Sequence, residues 1–140
     1  MVTIQRVQHV SVPMRPDGQA EARRFYGSHL GLTEIPPPVD LSHLAIVWFQ
    51  AGADGDEIHC FVDERADSRL PVQHLCLEVD DLAALRANLQ AAGVAIQETD
   101  PIHNRPRCFV RDPFGNLIEL TEITGPYDVA APVDASASAG

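Results

Sequence analysis

The hexapeptide Val7-Gln8-His9-Val10-Ser11-Val12 returns 65 residues later as Val72-Gln73-His74-Leu75-Cys76-Leu77. Three positions are identical and two more keep an apolar side chain. Further along, Glu57-Ile58-His59-Cys60-Phe61 and Asn116-Leu117-Ile118-Glu119-Leu120 each set a polar residue between apolar ones, with His59 and Glu119 60 residues apart. Two offsets so close imply two copies of one unit, the second slightly shorter. Repeated units bury their apolar faces against each other, which restricts the chain to a paired-module architecture.

Each copy reads as a strand, a helix and three strands (βαβββ), which makes the chain α+β. In the first copy, strands are expected over 7–12, 33–35, 44–50 and 57–63, with a helix over 19–29 capped by Asp17 and closed by Gly31. Pro36-Pro37-Pro38 stops the second strand, and the glycines within 51–56 turn the chain into the fourth. In the second copy, strands are expected over 72–79, 94–98, 107–111 and 117–124. Asp80 or Asp81 caps a helix that runs through Ala92 and ends at Gly93, with Leu82, Leu85 and Leu89 on one face. One domain is predicted over 1–124: module one at about 5–63, a charged linker at 64–71 and module two at 72–124. The stretch 125–140, rich in Ala, Ser, Pro and Val, has no periodicity and is expected to be loose.

Side chains alternate across a strand. One set holds Val10, Val12, Ile58, Cys60, Val62, Leu75, Leu77, Val79, Ile118 and Leu120, an apolar face suited to carry the helices. The other holds His9, Ser11, Glu57, His59, Phe61, His74, Cys76, Glu78, Glu119 and Thr121. That face is polar without being lysine-rich, as in a cup with a site inside it. His9, His59, His74 and Glu119 share it at matching places in the two copies, a pattern that points to a metal site. Trp48 and Phe49 point to opposite faces, so one should line the cup and the other the core.

The net charge of −10 argues against nucleic acid and against anionic membrane surfaces, where cations must do the binding. No apolar run spans a bilayer, no leader pattern opens the chain, and three unpaired-looking cysteines suit a reducing compartment, so a cytoplasmic protein is expected. At 140 residues the chain can build a core without disulfides or a structural metal, so a bound metal would serve function.

His9-Val10-Ser11-Val12, Phe25-Tyr26 with Leu30-Gly31-Leu32, Ile58-His59-Cys60, His74 through Leu82, and Asp112-Pro113-Phe114-Gly115-Asn116 with Glu119 together resemble the vicinal oxygen chelate superfamily. That superfamily includes glyoxalases, extradiol dioxygenases, and fosfomycin- and bleomycin-resistance proteins. The resemblance implies two pseudo-symmetric βαβββ modules forming a curved mixed sheet around one divalent metal, held here by His9, His59, His74 and Glu119. His59 departs from the pattern, because glyoxalase-like members tend to carry Glu there; it is either a ligand or an acid/base.

A set of three imidazoles and one carboxylate suits Zn, Ni, Fe or Mn. The expected activity is that of a lyase or isomerase moving a proton next to a carbonyl, with Glu119 as base, His59 as a second catalytic residue and Glu57 as a weaker base. Arg107 is the expected substrate anchor in a basic island with Arg105 and Arg111, and Phe61, Trp48 and Cys76 are expected to line the substrate space. His103 is a mobile acid/base candidate, while His29 and His43 read as surface residues. The alternatives are an Fe(II) dioxygenase using His9, His74 and Glu119, and a non-catalytic protein that sequesters a small molecule. A homodimer is expected, with the site either within one chain or shared so that His9 and His59 of one copy meet His74 and Glu119 of the other.

Overall fold

The computed structural model describes residues 1–67, 69–126 and 128, so the stretch expected to be loose lies almost wholly outside the described residues. Module one contains β1 (His9–Met14), α1 (Gln19–Ala22), a π-helical continuation (Arg23–His29), β2 (Thr33–Ile35), a 3-10 turn (Val39–Leu41), β3 (Val47–Ala51) and β4 (Asp56–Val62). Module two contains β5 (His74–Glu78), α2 (Leu82–Ala91), β6 (Arg107–Arg111) and β7 (Leu117–Thr121). The curved mixed sheet is realised as two hydrogen-bonded sheets, ordered β1-β4-β3-β2 and β5-β7-β6. In each, the first strand of the module lies parallel to its last, and the other pairings are antiparallel. A parallel pair needs a long crossover, and the helix and intervening strands of each module provide it.

Local signals explain most boundaries. Asp81 caps α2 by accepting from the Ala84 N–H at 2.8 Å, and Gly93 leaves the helix at φ 80°. Leu89 is fully buried and Leu82 nearly so, each contributing about 2 kcal/mol to the core. Asp17 does not cap the first helix; Gly18 holds that position, with no side-chain cap. A Cβ at Gly18 would come within 2.5 Å of the Phe114 ring, so packing against module two decides the residue there. The strand expected over 94–98 reduces to one bridge, Gln97 with Phe109. Its first amide is drawn away, because Val94 N–H donates to Leu89 O at the helix end.

The core lies between the apolar sheet faces and the helices, with Met14, Tyr26, Phe49, Cys60, Leu89, Cys108, Ile118 and Leu120 completely buried. The Asp112–Asn116 turn fastens the modules together. Asp112 is buried and accepts from Tyr26 O–H and Asn116 Nδ2 at 2.7 Å, and from the backbone amides of Phe114 and Asn116 at 2.9 Å. Asn116 Nδ2 also donates to Pro13 O at 2.9 Å, and Arg15 lies over the Phe114 ring at 5.0 Å. Burial pushes the Asp112 carboxyl upward despite its donors, and lifts the Tyr26 phenol further still.

Candidate functional site

The parallel pairing decides which side chains meet. On β1 and β4, His9 stands opposite Glu57 and Ser11 opposite His59, so His9 and His59 are diagonal neighbours on one face. Their rings stack at 4.2 Å. Trp48, opposite His59 on β3, stacks on it at 3.7 Å with the planes 2° apart. Because β1 and β3 flank β4, His59 is sandwiched between two rings and is 3% exposed. Phe61 meets the imidazole at 6.1 Å, while Phe49 turns into the core.

Module two repeats the geometry with different chemistry. Cys76 stands opposite Glu119, and His74 Nε2 lies 3.0 Å from Glu119 Oε2. Phe109, opposite Glu119 on β6, meets the His74 ring edge-on at 4.9 Å. Arg107 donates to Glu119 Oε1 at 3.1 Å and to Asp100 O at 2.8 Å. The expected substrate anchor is thus the tether of the expected base. Arg111 and Arg105 donate to backbone carbonyls, so the basic island is largely taken up by the protein itself. His43 and His103 are exposed, and Cys76 is an exposed thiol pushed up to about 11 by partial burial and by Glu119.

The three histidines share a feature that strand parity does not reveal. His9 Nδ1 donates to Gln8 Oε1 at 2.6 Å, His59 Nε2 to Glu57 Oε2 at 2.7 Å, and His74 Nδ1 to Val72 O at 2.7 Å. A neutral imidazole held this way keeps a bare lone pair on its other nitrogen. His74 has an acceptor at each ring nitrogen, Val72 O at Nδ1 and Glu119 Oε2 at Nε2. Such outer hydrogen bonds are the usual means of orienting imidazole ligands. The donor chemistry therefore fits a divalent ion, offered as two half-sets: His9 with His59, and His74 with Glu119. Among the described residues, no three His, Cys, Asp or Glu come together to hold a metal within one chain.

Gln8 was not among the expected site residues, although a glutamine precedes the histidine in both copies. Glu57, expected as a weaker base, is half-buried on His59. The His59 hydrogen bond lowers the Glu57 carboxyl, against its partial desolvation and with help from Gln8. Burial lowers His59, against the pull of Glu57.

Two modules that each pair their first strand parallel to their last, and carry ligand-type side chains on that pair, define the class of this fold. The chain belongs to the Glyoxalase/Bleomycin resistance protein/Dioxygenase superfamily, whose family model matches residues 6–120. A glyoxalase family protein from Bacillus anthracis is 30% identical with a TM-score of 0.79, the match covering 88% of this chain and 98% of that one. TnmS3, an antibiotic-binding protein from Streptomyces sp. CB03234, is 27% identical with a TM-score of 0.61, covering 88% and 99%. The fosfomycin resistance protein FosX of Listeria monocytogenes shares the fold, with a TM-score of 0.67 at 15% identity, covering 86% and 94%. No functionally curated protein matches the sequence. Among the described residues, no helix is long and apolar enough to cross a membrane.

Proposed function

We propose that the protein is a divalent-metal-dependent lyase or isomerase working as a homodimer, with His9 and His59 of one copy facing His74 and Glu119 of a second. The observation that carries this reading is the division of oriented ligand-type side chains into two pairs, each incomplete alone. Zn, Ni, Fe and Mn all suit the donors, and when bound such an ion supplies Lewis-acid polarisation of a substrate carbonyl.

The protein's own groups do the rest. Glu119 takes the proton adjacent to that carbonyl. Its two oxygens are held by Arg107 and His74, so release of one of these contacts frees it to act. The Trp48–His59–His9 column fixes two imidazoles by packing, while Phe61 and Phe109 set apolar ring edges against His59 and His74. The three cysteines are free thiols, in keeping with work in the cytoplasm.

The test is subunit mixing. Untagged wild-type protein should take up one divalent ion per site, and His9→Ala or Glu119→Ala alone should take up none tightly. Unfolded together and refolded, the two variants should recover part of the metal uptake, because each mixed dimer holds one intact set. No metal uptake by wild type would overturn the enzyme reading, and no recovery on mixing would overturn the shared site. Iron uptake with oxygen consumption would move the reading to a dioxygenase.

A second reading, sequestration of a flat small molecule, is favoured by the stacked Trp48 platform and by the likeness to TnmS3. It would be seen as saturable quenching of the lone tryptophan by an aromatic ligand without metal.

A further inference from the structure

The ten basic residues are all arginine, set against twenty Asp and Glu, so an arginine lacking an acidic partner is unexpected. Arg6, Arg15, Arg23, Arg65, Arg86 and Arg107 each meet a carboxylate. Arg105 and Arg111 donate to backbone carbonyls. Arg24 and Arg69 remain, and among the described residues neither has an ion pair or hydrogen bond. Both line the same cavity of about 570 Å³.

The cavity lies on the helix-bearing side, where Phe25, Ile96 and Val110 supply an apolar wall and His29 a further donor. Two acids also line it, but both are engaged. Glu21 is held by Arg15 with both oxygens at 2.6 Å, and Asp112 accepts four hydrogen bonds. The backbone on both sides is unusual. Arg24, Phe25 and His29 belong to the π-helical segment, closed by Leu30 N–H to Phe25 O at 3.0 Å, a form that is rare and frequent at functional sites. Arg69 is held at φ 48°, a left-handed conformation that non-glycine residues adopt at a cost.

We propose that this cavity binds a small organic oxyanion, a phosphate or carboxylate on an apolar body. The Arg24 and Arg69 guanidinium forks take the oxygens, and the Phe25–Ile96–Val110 wall takes the body. None of His9, His59, His74 and Glu119 lines this cavity, although Arg69 also borders the cleft beside His74, and the proposal does not depend on the activity proposed for those residues.

The test uses the full chain, cleared of metal with chelator, and titrates phenyl phosphate, benzoate and phenol while following arginine Nε–H signals by NMR. Phenyl phosphate or benzoate should give saturable shifts of Arg24 and Arg69, with Arg107 unmoved. Arg24→Gln and Arg69→Gln should each weaken binding by about tenfold, and the double variant should abolish it. Both side chains are exposed, so the melting temperature of the free variants should match wild type. Absence of saturable shifts, binding retained by the double variant, or phenol binding as tightly as the anions would overturn the proposal.

Discussion

The two modules place equivalent strands side by side and fill them with opposite kinds of control. In module one, the residue on the last strand is an imidazole clamped between Trp48 and His9, with a carboxylate behind it. In module two, the matching residue is a carboxylate, Glu119, held by a guanidinium and an imidazole. Phe109 occupies the place of Trp48 yet touches His74 edge-on, so Glu119 has no stacked ring to confine it. Packing fixes His59, whereas charge and hydrogen bonding fix Glu119. A side chain held by charge can be released by a competing charge; one held by stacking cannot.

That contrast can be broken in several ways. The largest effect is expected at Glu119. Its replacement by Ala should weaken divalent-ion affinity by more than about a hundredfold, since loss of mere supporting partners costs about 10–100-fold. Competition with a chelating dye measures it. Trp48→Ala attacks the packed module and should cost about 3 kcal/mol in urea unfolding followed by circular dichroism. Little loss there would mean that the ring column is decoration.

Arg107→Gln attacks the charge-held module, and metal affinity should fall about tenfold in the same dye competition. The smallest effect concerns the core behind His59. Burial, with Asp112 adding to it, pushes the neighbouring Cys60 thiol from 9.0 up to about 12. The unfolded thiol ionises first, so this contribution is whole below pH 9 and lost as pH rises toward 12. Near pH 10 the loss is about 1 kcal/mol. Cys60→Ala should flatten that alkaline decline in denaturant midpoint.

The repeat and the strand alternation made the faces legible in advance. They paired His9 with His59 and His74 with Glu119, one pair on each sheet, and set Trp48 against Phe49. A cap at Asp80 or Asp81 was readable because capping chemistry is local, and Asp81 is the one that caps. What alternation does not carry is lateral order. Nothing in the residues near His9 says that β4 rather than β2 lies beside it, and so nothing foretold the ring column. Arg107 read as a substrate anchor because its neighbours in sequence are basic, while its partner is twelve residues away across a hairpin. Gly18 gave way to no cap rule, since the constraint on it is Phe114, a residue of the other module.

The Asp112–Asn116 turn has a consequence for how the halves recognise each other. Module one contributes the Tyr26 phenol and the Pro13 carbonyl, and module two contributes the carboxylate and amide that bind them. The joint is directional, like a plug and socket, and neither half carries both parts. Cut in the linker between Asp63 and Val72 and co-expressed, the two fragments should assemble with each other in preference to their own copies. The joint thus sorts two similar units into one ordered pair.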